Sequence, residues 1–271
     1  MPDIDRLLAC GVTKAYGALH KIQHKALEEV TVEFRSGKRV GIIGESGSGK
    51  STLVRLMLGL SLPTEGRVSF NGRDLGKVLA NRENRVAFRR SVQFIGQDTT
   101  SSFDPLRTLR DAVRAPLLSL YGLTRAAADD RIDMVLTRLA LPIGLANHYP
   151  QEVSGGQRQR FAIARAIVVE PRILVCDEVV SALDVSVQGA ILNLLKAHAE
   201  ETGAGLAFVT HNLPAAGFIA DELIVMQCGK VVESGSTEDV IRRPRHEFTA
   251  SLVESCATRP VIATANKPCL A

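Results

Sequence analysis

Apolar positions along the chain fall into short runs separated by stretches with a helical period. Residues 30–34 (Val-Thr-Val-Glu-Phe) alternate as a strand does, and residues 39–43 (Arg-Val-Gly-Ile-Ile) form the nearly unbroken apolar run that a parallel strand buried on both faces needs. Residues 51–60 then predict a helix. A strand over 67–70 ends at the Asn71-Gly72 turn, and a further strand is expected over 91–96. Ile132, Val135, Leu136 and Leu139 recur at helical spacing after Thr124, a residue type suited to an N-cap. Helical composition returns at 157–168 and at 185–200. Short apolar strands at 173–176, 206–210, 224–226 and 231–232 complete the set. Strands alternating with helices predict an α/β fold with a parallel sheet covered on both faces. The stretch from about 99 to 154 reads as an inserted helical lobe. The last thirty residues are polar, with prolines at 244, 260 and 268, and are expected to form a tail beyond a main domain over 1–243.

Composition narrows the function classes. Of 271 residues, 45% are hydrophobic and 23% charged, enough for a sizeable core. The net charge of +4, with no Trp and 4% aromatics, gives little purchase for nucleic acid, and none is expected as a partner. No run approaches the roughly 18 apolar residues of a membrane span. The segment Leu7-Leu8-Ala9-Cys10 has the look of a lipoprotein cleavage site, but the six residues ahead of it include two acids. Five cysteines without a Cys-x-x-Cys pair read as reduced thiols. His20 and His24 lack a third ligand and make a poor metal site.

Chemistry concentrates in Gly44-Glu45-Ser46-Gly47-Ser48-Gly49-Lys50-Ser51, followed by Thr52, between a predicted strand and a predicted helix. The glycines let the loop wrap a phosphate chain with its amides inward, and the helix start offers free N–H groups and a positive dipole end. Lys50 can bridge the β and γ phosphates of ATP, and Ser51 can place its hydroxyl on Mg²⁺. Residues 172–178 form an apolar strand ending in Asp177 and Glu178. At the carboxyl end of a parallel strand, Asp177 would face the metal and Glu178 a water attacking the γ phosphorus. Ser154-Gly155-Gly156-Gln157 opens another helix, again with glycines ahead of free amides.

Taken together, these motifs resemble an ATP-binding cassette (ABC) transporter ATPase over about residues 5 to 255. Ser154, Gly155, Gly156 and Gln157 match that family's signature, in its expected order between the phosphate loop and Asp177. The resemblance implies a P-loop NTPase fold: a RecA-like, mainly parallel core, an antiparallel β subdomain, and an α-helical subdomain inserted over about 99–157. It implies that Tyr16 stacks on adenine, that Gln97 senses the γ phosphate and contributes to the Mg²⁺ site, and that residues 181–184 join two ATPase subunits. His211 would be the γ-phosphate histidine. Lys50, Gln97, Glu178 and His211 are then the catalytic set, with Ser51, Gln97 and Asp177 around the metal.

The same resemblance implies a closed dimer in which each ATP lies between one subunit's phosphate loop and the other's signature. It further implies two transmembrane permease subunits, a second ATPase chain of the same or a different kind, and an extracytoplasmic substrate-binding protein. The chain would sit peripherally on the cytoplasmic face of the inner membrane. Residues 97–105 and 243–252 resemble stretches of peptide and nickel importers, leaving peptides, nickel or a metallophore complex open as cargo. Three positions depart from the family pattern: Val153 opens the signature, Cys176 precedes Asp177, and Val179-Val180 follows Glu178. The rivals are a DNA-repair or chromosome-structuring ATPase and a small-molecule kinase. The first needs long coiled coils, whose heptads the insertion lacks; the second leaves the signature and His211 unexplained. The basic run Arg82, Arg85, Arg89, Arg90 reads as a solvated helix face.

Overall fold

The computed structural model describes residues 4–17, 24–98, 101–181 and 183–257. In chain order, β1 (Arg6–Tyr16), β2 (His24–Arg35) and β3 (Arg39–Ile43) lead through the phosphate loop into α1 (Lys50–Met57). Then come β4 (Glu65–Phe70), β5 (Arg73–Asp74), α2 (Leu75–Ala80), α3 (Arg82–Ser91) and β6 (Val92–Ile95). Helices α4 (Leu109–Tyr121), α5 (Arg125–Arg138) and α6 (Gly155–Ile167) precede β7 (Ile173–Asp177), α7 (Val185–Thr202) and β8 (Gly205–Thr210). The described chain closes with α8 (Leu213–Ile219), β9 (Glu222–Gln227), β10 (Lys230–Ser236), α9 (Thr237–Arg242) and α10 (Glu247–Ala257).

Two sheets result. One is antiparallel, in the order β2-β1-β4-β5; the other runs β10-β9-β3-β8-β7-β6, parallel throughout except for the antiparallel edge strand β10. Period-two alternation divides the central strands between two cores. Ile173, Val175, Ala207 and Val209 face α1 and the antiparallel sheet, whereas Leu174, Cys176, Leu206 and Phe208 face α6 and its neighbours. Burial on both faces explains why β3, β7 and β8 read as continuous apolar runs.

The inserted lobe is helical as expected. Thr108 and Thr124 cap α4 and α5 by accepting from the Asp111 and Ala127 amides, and Val113, Leu117, Ile132, Leu136 and Phe161 fill its core. Its two helices ahead of the signature have 13 and 14 residues, far short of a coiled-coil arm. Among the described residues no helix is long and apolar enough to cross a membrane.

The structure adds two elements to those the pattern predicts, β1 and α10. In strand β1 a bulge at Gly11 (φ +57°) breaks the alternation between Cys10 and Thr13, so no period-two run marks it in the sequence. The lipoprotein-like segment is part of this strand, with Leu7 and Ala9 wholly buried. The expected tail from 244 is ordered as α10 over 247–257, which buries Phe248 and Thr249; residues 258–271 lie outside the described set. His24 begins β2, and His20 is outside the described residues.

Candidate functional site

The phosphate loop is shaped by two close backbone approaches. A Cβ at Gly44 would lie 2.1 Å from the Met226 carbonyl, and one at Gly49 (φ +100°) would lie 2.5 Å from the carbonyl of Ala26 on β2. Gly49 is also the N-cap of α1, with no side-chain cap and no acid in the first turn, so the helix start is left to an external anion. Gly49→Ala is expected to lower unfolding free energy by about 1–3 kcal/mol through backbone strain and this clash, read as an earlier denaturant midpoint.

Lys50 is buried, its Nζ donating to the Gly44 and Glu45 carbonyls at 2.8 and 2.7 Å and to Ser48 Oγ at 3.3 Å. Burial pulls its pKa down, and the nearby Glu178, Asp177 and Glu45 carboxylates pull the other way. Tyr16, at the end of β1, pairs with His24, two residues from Ala26 against the loop. Its ring is exposed, with the Lys14 ammonium 5.2 Å from the centroid. Glu45, Ser46 and Gly47 are exposed at the loop's crown, Ser48 is buried, and Ser51 and Thr52 open α1 toward solvent.

The carboxyl ends of β6, β7 and β8 bring the acid–base groups together. Asp177 is buried at the end of β7, and its Oδ1 has no hydrogen-bond partner among the described residues. Burial raises its pKa, opposed by the Ser51 hydroxyl and Lys50. Glu178 stands at φ +49°, an unusual conformation for a non-glycine residue. Its amide donates to the Val209 carbonyl at 2.9 Å, and its own carbonyl accepts from Ser181 N and Oγ at 3.2 and 2.9 Å. The carboxylate lies between two partners: Gln97 Nε2 donates to Oε2 at 3.0 Å, and His211 Nδ1 is 3.3 Å from Oε1. Lys50, Ser51, Gln97, Asp177, Glu178 and His211 therefore converge.

The signature is built separately. Ser154 Oγ accepts from the Gln157 amide at 3.2 Å and Gln157 Oε1 accepts from Ser154 N at 2.9 Å, a capping box that starts α6. Ser154 and Gly155 are exposed, and no acid sits in the first turn. This anion-ready helix start presents its amides outward.

The family profile described as ABC transporter matches residues 27–181, more than half of the chain. The chain belongs to the ABC transporter family. It is 39% identical over 232 residues to the oligopeptide transport ATP-binding protein OppF of Salmonella typhimurium, covering 85% of this chain and 69% of that one. With AppF of Bacillus subtilis the identity is 37% over 231 residues, covering 85% and 70%. Among solved structures, the dimeric bacterial ABC transporter cassette MJ0796 superposes with a TM-score of 0.77 at 32% identity, covering 85% of this chain and 98% of that one; another structure of MJ0796 holds ADP and Pi after hydrolysis. The cassette is an ATPase, and ATP is its nucleotide.

The residues present also suit Mg²⁺. The buried Asp177 Oδ1 has no hydrogen-bond partner among the described residues, and with the Ser51 hydroxyl and the Gln97 amide oxygen it offers the hard oxygen donors that such a cation prefers. The three departures from the family pattern are packing changes: Val153, Cys176, Val179 and Val180 are all buried, and burial raises the Cys176 thiol's pKa, which keeps it protonated and inert.

One connection escaped the sequence reading. Arg165, on α6, is half-buried and among the described residues forms no ion pair. It donates to the Ser102 carbonyl at 2.5 Å and lies 4.7 Å from the Phe103 ring centroid, tying the signature helix to the segment after Gln97. A charged residue within a buried helical stripe was its available signal.

Proposed function

We propose that this cassette is the ATP-hydrolysing subunit of a membrane importer for peptides. The observation that carries the chemistry is the Glu178 carboxylate held between Gln97 and His211 beside a loaded-lysine phosphate loop. The cargo follows from relatives named as peptide importers, two from Salmonella and Bacillus and one from Brucella ovis at 39% identity.

In this reading Tyr16 stacks on adenine, and the amides of residues 44–52 with the α1 dipole surround the phosphates. Lys50 exchanges the Gly44 and Glu45 carbonyls for β and γ phosphate oxygens, replacing dipoles by full negative charges. Glu178 accepts a proton from the attacking water, oriented by the Gln97 amide and by His211, which also reaches the γ phosphate. Mg²⁺, held by Ser51, Gln97 and Asp177, would neutralise charge developing on the β and γ oxygens. Ser154, Gly155, Gly156 and Gln157 of a second ATPase subunit close over the same nucleotide. Binding energy then drives closure, and hydrolysis releases it. Two permeases and an extracytoplasmic binding protein complete the assembly, placing this chain at the cytoplasmic face of the inner membrane.

The cargo is tested by deleting the gene in its native host and complementing with wild type or Glu178→Gln. Uptake of a labelled tripeptide should fall to background on deletion and return only with wild type, while nickel uptake stays unchanged. Normal tripeptide uptake with lost nickel uptake would overturn the peptide reading.

A further inference from the structure

A cleft of about 860 Å³ lies away from the nucleotide site. It lies at the opposite end of the parallel strands. Ser91 precedes β6 and Arg172 precedes β7, whereas Asp177 ends β7 at its far end and Glu178 follows it. Its walls come from α3, α4, α5, the turn between α6 and β7, and α7.

Four arginines line it: Arg90, Arg131, Arg138 and Arg172. Arg138 pairs with Glu201, but among the described residues Arg90, Arg131 and Arg172 form no ion pair. Glu170 is the one carboxylate in the lining. Two of the cations are held in place. Tyr121 is fixed by its hydroxyl donating to the Val169 carbonyl at 2.8 Å, and the guanidiniums of Arg90 and Arg131 sit 4.6 and 5.9 Å from its ring centroid. Arg90 Nε also donates to the Leu120 carbonyl at 2.9 Å. His198, 7% exposed, borders the same cleft, and its Nε2 has no hydrogen-bond partner.

Positioned guanidiniums without counter-ions repel one another, a cost that a bound anion reverses. The planar fork of arginine matches phosphate oxygens, and the volume is that of a small-ligand pocket. We propose that this cleft binds a multiply charged phosphate group, carried either by a phosphorylated small molecule or by a lipid headgroup, at a site separate from ATP.

The test uses the full chain carrying Lys50→Ala, which silences the phosphate loop. Calorimetric titration with inorganic tripolyphosphate reports a soluble ligand; flotation with phosphatidylglycerol vesicles, against phosphatidylcholine vesicles, reports a headgroup. Binding to one or both probes is expected, and adding Arg131→Gln with Arg172→Gln should weaken it by at least about tenfold. Both side chains reach solvent, and a melting curve checks the fold; Arg172→Glu alone provides a second variant with the same expected direction. No binding to either probe, or binding indifferent to both variants, would overturn the proposal.

Discussion

Replacing Glu178 by Gln is expected to slow ATP turnover by about 10²–10⁴-fold, the usual range for loss of a general base, while leaving ATP affinity close to wild type. The substitution keeps the shape of the side chain and removes only its capacity to take a proton. Its partners are fixed independently of that charge: the amide bond to Val209 and the Ser181 bonds to the carbonyl hold the strained backbone. The variant should therefore bind ATP, close, and stay closed. Steady-state hydrolysis and gel filtration with ATP check both halves. Turnover at the wild-type rate would remove Glu178 from the role proposed for it.

Lys50→Ala is expected to act on the opposite quantity. It removes the buried cation at the centre of the loop, and with it two or more charge-assisted contacts worth about 1.5–3 kcal/mol each once phosphate replaces the loop carbonyls. ATP affinity should fall by about two orders of magnitude or more. The nucleotide-free protein should melt within a few degrees of wild type, because losing the Gly44 and Glu45 hydrogen bonds is offset by relief of burying an ammonium. The rise in melting temperature normally given by ATP should vanish. A variant that melts like wild type yet is still stabilised by ATP would contradict this account of the loop.

Much of the site was legible because its chemistry is encoded locally. The loop from Gly44 to Ser51, the Asp177-Glu178 pair and the turn at 154–157 each need a fixed residue type at a fixed spacing. What the chain order could not convey was which groups meet. That Gln97 and His211 hold opposite oxygens of Glu178 depends on β6, β7 and β8 lying side by side, a fact of sheet order. Strand β1 was hidden by the bulge at Gly11, which shifts the buried positions out of period two. Helix α10 was hidden because its apolar positions, Phe248, Leu252 and Val253, are few and lie in a segment punctuated by Pro244, Pro260 and Pro268. The arginine cleft assembles from positions 90, 131, 138 and 172 on separate elements, and only Arg90 belonged to a run visible in the sequence.

The joining of two incomplete nucleotide cradles across a subunit boundary is tested most directly by cross-linking. One population of Glu178→Gln chains would carry Ser46→Cys and another Gly155→Cys, both at exposed positions, with every other cysteine replaced by alanine. The account predicts a disulfide between the two populations that forms with ATP and magnesium and not without them. Cross-links that ignore nucleotide, or that join only like positions, would contradict it.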